Sequence, residues 1–132
     1  PARAQGGLLC KPEDLAKLTA EIMKARKGES SVFSKGLTDS LFSKQLGLPF
    51  KFYEQTAYMG LGVLLIGDDE CLAFIHNGYN SPGSVCIVIG FPEIGKGAVI
   101  ASNSANGEDL YLEVIATLAE IYGWPSGQFF KA

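Results

Sequence analysis

Hydrophobic positions recur at helical spacing near the start of the chain. Apolar residues recur at Leu15, Leu18, Ile22 and Met23, that is at positions i, i+3, i+7 and i+8. This period predicts an amphipathic helix. Pro12 suits its first turn, and Gly28 is placed to stop it. A shorter helix is expected over residues 35–44.

Beyond residue 58 the period changes to nearly continuous apolar runs, which predict strands over 59–66, 71–75, 84–91 and 97–102. Short turns between neighbouring runs indicate an antiparallel meander. Residues 46–56, which contain Pro49 and several aromatic side chains, are interpreted as a loop over the core. Residues 76–83 are rich in Asn, Gly and Ser and are interpreted as a loop lining a cleft.

The last helix is predicted after residue 106. Asn106 is expected to cap it through its side chain, and Gly123 to end it. Its apolar stripe consists of Tyr111, Val114, Ile115, Leu118, Ile121 and Tyr122. The predicted fold is therefore α+β: an antiparallel sheet of three to four strands, two N-terminal helices and a C-terminal helix packed on it. The continuous apolar runs favour helices on both faces of the sheet.

Composition limits the possible functions. The 132 residues suffice for one unit spanning 1–132. Only 19% of residues are charged, against about 25% in ordinary soluble domains, so we expect apolar surface that faces a partner. The net charge of -3 gives no excess of positive charge for binding nucleic acid. The chain is expected to be soluble because no apolar run is long enough for a membrane span. The first seven residues look like an internal point of a longer polypeptide.

Cysteine and histidine usage argues against a metal site. Cys10, Cys71 and Cys86 are far apart in sequence, and His76 is the single histidine. Metal-ligand spacings such as Cys-x-x-Cys are absent from the sequence. We therefore expect free, buried thiols, no metal and no cofactor.

His76 begins the most informative stretch, residues 76–80, with the sequence His-Asn-Gly-Tyr-Asn. It follows an apolar run, and Gly78 would let a ligand or another backbone approach closely. This combination can line a substrate cleft. The alternative is a strand-end histidine whose ring is hydrogen-bonded to a backbone carbonyl.

Four stretches of the chain occur in an order that resembles a known family: residues 6–8 with 12–17, 74–80, 90–103, and 122–125. Together they resemble the C-terminal part of the serine beta-lactamase-like family. That family contains class C beta-lactamases, D-alanyl-D-alanine carboxypeptidases (penicillin-binding proteins) and related esterases. The resemblance implies that the chain is a fragment of this larger fold.

The resemblance also assigns roles to the stretch 76–80. His76 stands in the lysine position of the family's third motif, Asn77 in the threonine position and Gly78 in the glycine position. The backbone N–H of Tyr79 would be an oxyanion-hole donor, and His76 would orient the substrate or the catalytic hydroxyl network. Asn77, Gly78 and Asn80 would contact substrate.

The family's nucleophile is missing from the sequence. It is a serine followed three residues later by lysine, whereas Ser40 is followed by Ser43, and Ser31 by Ser34. The family's second motif, Tyr-x-Asn or Ser-x-Asn on a loop of the helical domain, also lacks a credible match, since Tyr79 and Asn80 are adjacent and not spaced. We therefore expect a subunit or fragment that is inactive alone. Its partners would be the N-terminal part of the enzyme and a small acyl substrate, namely an amide, ester or beta-lactam. The alternative is a non-catalytic ligand- or protein-binding module of the same fold.

Overall fold

An open antiparallel sheet of six strands and three helices form the part of the chain that the computed structural model describes, residues 6–52, 55–68, 70–80 and 83–124. The helices are α1 (Pro12–Arg26), α2 (Lys35–Leu41) and α3 (Gly107–Tyr122). The strands are β1 (Leu46–Phe52), β2 (Gln55–Met59), β3 (Leu64–Ile66), β4 (Ala73–Asn80), β5 (Ser84–Phe91) and β6 (Lys96–Ser102). Strand order in the sheet follows chain order.

The predicted α+β class and the antiparallel sheet are confirmed, but the predicted strand number of three to four is wrong. Residues 46–56 were expected to form a loop and instead supply β1 and the start of β2. Pro49 is tolerated because pairing between β1 and β2 is irregular between Gly47 and Lys51. A residue without an N–H fits such an interruption on an edge strand.

The expected strand 59–66 is in fact divided by a loop, residues 60–63, between β2 and β3. Gly62 turns the chain with a positive φ of +82°, a conformation that favours glycine. The Leu61 N–H donates to the Leu41 carbonyl oxygen at 3.1 Å, which ties the loop to the end of α2. A side chain at position 60 would come within 2.5 Å of that same oxygen. Tertiary contact with α2 therefore ends β2 early.

The loop expected over residues 76–83 is wrong for residues 76–80, and residues 81 and 82 lie outside the described residues. Residues 76–80 continue β4 and pair with β5 as far as Asn80 opposite Ser84. Their Asn and Gly residues favour turns locally. The long apolar strand β5 outweighs that preference because it offers a complete set of partners for the backbone of β4.

Helices cover both faces of the sheet, as the continuous apolar runs predicted. Phe74 lies on the face of α1 and α2, in a buried cluster with Met23 and Phe42. Its neighbour Ile75 points to the other face and belongs to a cluster with Ile115 of α3. Both α1 and α3 pack on β5 and β6. These two strands are therefore covered by a helix on each face of the sheet.

The ends of α3 are only partly as predicted. Gly123 ends the helix in the left-handed conformation, with φ of +60°. The expected capping by the Asn106 side chain is wrong, since that side chain makes no capping hydrogen bond. Glu108 and Asp109 in the first turn complement the helix dipole instead.

Gly107 sets how closely α3 approaches the sheet. A Cβ at this position would lie 2.3 Å from Val85 Cγ2 and 2.7 Å from Ser102 Cβ. We expect Gly107→Ala to lower the free energy of unfolding by about 1–3 kcal/mol through overpacking, measured by urea denaturation. The matched control is Gly36→Ala in α2, where a Cβ meets no atom within 4 Å. That change should be neutral or stabilise by up to about 1 kcal/mol; equal effects of the two substitutions would contradict the prediction.

Candidate functional site

The segment 76–80 is the exposed end of β4. Residues 73–75 of this strand are buried, whereas all five residues of the segment are exposed. The cause is the length of β3, which pairs only with Ala73, Phe74 and Ile75. Beyond Ile75, β4 keeps β5 on one side and has no strand on the other side in the described part of the chain.

The turn after β4 determines which backbone groups face that open side. The Gly83 N–H donates to the Asn80 carbonyl oxygen at 3.0 Å, so Asn80 directs its carbonyl toward β5. Successive residues of a strand direct their N–H and C=O groups to opposite sides. The backbone groups of Gly78 therefore face β5, and those of Asn77 and Tyr79 face the open edge.

His76 is held by the loop 60–63. Its Nδ1 lies 3.0 Å from the Gly62 carbonyl oxygen. A carbonyl oxygen can only accept a hydrogen bond, so the proton is on Nδ1. In the neutral ring, Nε2 is then the nitrogen with a free lone pair. The predicted alternative, a histidine hydrogen-bonded to a backbone carbonyl, therefore holds for Nδ1. It leaves Nε2 able to accept a hydrogen bond from a ligand.

Asn77 joins a polar cluster on the opposite face of the sheet. The buried Tyr111 of α3 donates its hydroxyl hydrogen to Glu108 Oε1 at 3.1 Å. Burial is the main cause that raises the pKa of Tyr111; the hydrogen bond with the Asn77 side chain lowers it, and the nearby Glu108 raises it further. The cluster therefore connects the first turn of α3 to the exposed strand end.

Side-chain alternation divides the predicted site residues between the two faces. His76, Gly78 and Asn80 share the face of Phe74, whereas Asn77 and Tyr79 share the face of Ile75. The five residues therefore share the strand edge and no single pocket. Beside Gly78 there is open space, since a Cβ there would meet no atom within 4 Å.

Sequence reasoning missed three contributors to this region. The sequence patterns placed Gly62 in the middle of a strand and Tyr111 in an apolar stripe, and they gave Glu108 no part in the site. Only the spacing of Glu108 and Tyr111, three residues apart on one helix, carried a signal for their contact. The contact of Gly62 with His76 bridges 14 residues and had no local signal.

A separate cavity of about 360 Å³ lies toward the other end of β4, near Tyr58, Asp68 and Cys71. Burial raises the pKa of the Cys71 thiol, and the negative charge of Asp68 raises it further. A raised thiol pKa disfavours the reactive thiolate, so Cys71 is not activated as a nucleophile in this cavity.

The described residues also bear on metal binding and membrane insertion. No three His, Cys, Asp or Glu side chains within these residues cluster as a metal site would require. Among the same residues, no helix combines the length and apolar character required to traverse a bilayer.

Comparisons of the chain with protein-family profiles, characterised proteins and solved structures gave no significant match.

His76 provides a direct check of the local geometry because it is the single histidine of the sequence. We expect the neutral ring to carry its proton on Nδ1, held by the Gly62 carbonyl. Nitrogen-15 chemical shifts of the imidazole distinguish the two tautomers. A spectrum of the neutral ring dominated by the Nε2–H tautomer would refute this geometry.

Tyr111→Phe tests the polar cluster while keeping the aromatic ring. We expect a loss of about 0.5–1.5 kcal/mol in the free energy of unfolding, from the hydroxyl hydrogen bonds. Since the folded pKa of Tyr111 is raised, the unfolded chain loses this proton first as pH increases. Wild-type stability should therefore decline at alkaline pH, and the substitution should remove that part of the decline.

The control for this substitution is Tyr122→Phe, which removes a hydroxyl from an exposed residue of the same helix. It should leave both the stability and its alkaline slope close to wild type. Urea denaturation over a series of pH values measures both quantities. Indistinguishable curves for the two variants would show that the Tyr111 hydroxyl contributes nothing.

Proposed function

We propose that this chain forms one wall of the acyl-transfer cleft of a beta-lactamase-like serine hydrolase or acyltransferase. The observation that supports this most is the open edge of β4 at Tyr79, beside the exposed His76. A backbone N–H directed to an open strand edge is the arrangement an oxyanion hole needs. The resemblance of residues 74–80 to the family's third motif supplies the reaction class.

In the proposed reaction, a serine hydroxyl attacks the carbonyl carbon of an amide, ester or beta-lactam. Negative charge develops on the carbonyl oxygen, and the Tyr79 N–H donates a hydrogen bond to it. One such donor, fixed in place before the reaction, contributes about 2.7–4 kcal/mol to transition-state stabilisation. The ladder with β5 fixes this N–H because it holds Gly78 and Asn80 on the other side.

His76 would act from the same edge through Nε2. Its Nδ1 is already bonded to the Gly62 carbonyl, which orients the ring. The remaining nitrogen can accept a hydrogen bond from a substrate or from the catalytic hydroxyl network, and the protonated ring can attract a substrate carboxylate. The open space beside Gly78 would allow the acyl group to lie against the strand.

The nucleophile and its lysine would come from the N-terminal part of the enzyme, as a separate chain or a processed segment. An apolar row on the face of α3 supports such a partner: Leu46, Met59, Leu64 and Ile75 are cross-strand neighbours. Ile75 is fully buried, yet Leu46 is 63% exposed. Helix α3 packs on β5 and β6, so the outer strands retain an apolar face that a partner would cover.

Tyr79→Pro tests the oxyanion role, because proline removes the N–H that the reaction would use. The strand should tolerate it, since that N–H faces the open edge and not the ladder with β5. In the complex of this chain with its bound partner, we expect turnover of a chromogenic ester or cephalosporin to fall roughly 10²–10³-fold. Tyr79→Phe, which keeps the N–H, should retain activity. Equal activity of the two variants would eliminate the Tyr79 N–H as a donor.

The second candidate function is a binding module without catalysis. It is favoured by the absence of a serine followed three residues later by lysine anywhere in the sequence. A fluorescent beta-lactam applied to the isolated complex distinguishes the two functions. The acyl-transfer proposal expects covalent label on a serine of the partner polypeptide. Label on a serine of this chain, or none with any beta-lactam or activated ester, would exclude the proposed division of labour.

A further inference from the structure

Cys86 lies next to the candidate site. On β5 it is the cross-strand partner of Gly78, and Ala101 of β6 is its neighbour on the other side. Its side chain shares a face with Val88, which packs in the cluster of Phe74. Cys86 therefore belongs to the face that also carries His76, and it is only partly buried.

The chain before α1 passes over this end of the sheet. At one end, a Cβ on Gly6 would lie 3.4 Å from Asn80 Oδ1. At the other end, α1 begins at Pro12. Its later turns lie near Gly97, since a Cβ there would be 3.6 Å from Met23 Cε. The start of α1 therefore points toward the Cys86 end of the strands.

Cys10 lies between these two anchors, in the segment 6–11. This segment contains no helix or strand, and all six of its residues are exposed. Burial is the main cause that raises the pKa of Cys86, and the negative charge of Cys10 raises it further. The anchors at Gly6 and Pro12 put Cys10 near the end of the sheet that carries Cys86. Because this segment makes no strand pairing, Cys10 can approach Cys86 without breaking hydrogen bonds of the sheet.

We propose that Cys10 and Cys86 are the two halves of a reversible disulfide that straps the segment 6–11 across the face of His76 and Gly78. Cys71 is excluded from this pair because it precedes the opposite end of β4, beside Asp68. The strap would control access to the candidate site by thiol–disulfide exchange, and it does not depend on the acyl-transfer proposal.

The oxidant is a low-molecular-weight disulfide such as oxidised glutathione. The exposed Cys10 thiolate attacks one sulfur of that disulfide, a mixed disulfide forms and one glutathione thiolate leaves. The Cys86 thiolate then attacks Cys10 Sγ, and the second glutathione thiolate leaves. Two protein thiols are oxidised and one glutathione disulfide is reduced to two thiols. The raised pKa of Cys86 makes the second step faster at mildly alkaline than at neutral pH.

The full chain is incubated with oxidised glutathione, alkylated and digested without reduction, and the cross-linked peptides are identified by mass spectrometry. We expect a Cys10–Cys86 peptide with Cys71 left as a free thiol, reversed by reductant and formed faster as pH rises. Cys10→Ser should abolish the cross-link. Cys71→Ser is the matched control and should leave its yield unchanged.

The reaction rate of His76 gives a second readout. A cross-link that did not cover the face of His76 would leave this rate unchanged. Reaction of the single histidine with diethyl pyrocarbonate should slow in the oxidised chain and recover after reduction, and Cys10→Ser should show no such change. A cross-link to Cys71, or stable mixed disulfides at Cys10 and Cys86 without a bond between them, would overturn the proposal. An unchanged His76 rate in the cross-linked chain would overturn its role as a strap.

Discussion

The hydrogen-bonded ladder between β4 and β5 is the constraint on which the candidate site depends. It runs from Phe74 opposite Gly90 to Asn80 opposite Ser84. Since α1 and α3 both pack on β5, that strand is fixed from two faces. A strand held this firmly can keep its partner extended through a sequence of turn-forming residues. The exposed segment 76–80 is thereby paired on one side, while no strand of the described residues pairs with its other side.

The short third strand is what opens that side. Gly62 turns the loop 60–63, and the bond from Leu61 to the Leu41 carbonyl fixes it against α2. One strand, β4, is therefore internal to the sheet in its first half and an edge in its second. Edges with free backbone groups favour pairing with other chains. Here the same loop supplies the Gly62 carbonyl that holds His76.

The two faces of the sheet at this edge carry different side chains, because successive side chains of a strand point to opposite faces. One face carries the hydrogen-bonded cluster of Asn77, Tyr111 and Glu108, which ties the strand to α3. The other face carries His76 and the partly buried Cys86. Only the backbone edge is common to both. A ligand that used all of the segment would have to bind along the strand, with its contacts divided between main chain and both sets of side chains.

Much of the fold could be predicted from local pattern. Helical spacing from Leu15 to Met23 predicted α1, and the apolar run from Val85 to Phe91 predicted β5, since burial requires those periods. Pattern failed where polar or aromatic composition masked a strand, as in β1, and where a distant contact ended one, as at Gly60. The loop conformation predicted at residues 76–80 was wrong for the same reason: these residues favour turns locally, but pairing with β5 keeps them extended.

The sequence by itself determined that His76, Gly78 and Tyr79 stand together after a buried run, because adjacency in the chain needs no fold. It also determined that no serine in the chain is followed three residues later by lysine. Only the tertiary structure decided that the backbone of Tyr79 faces an open edge, that Gly62 holds His76 and that Tyr111 lies behind Asn77. Each of these depends on residues brought together from separate parts of the chain by sheet register and helix packing, which a local pattern does not encode.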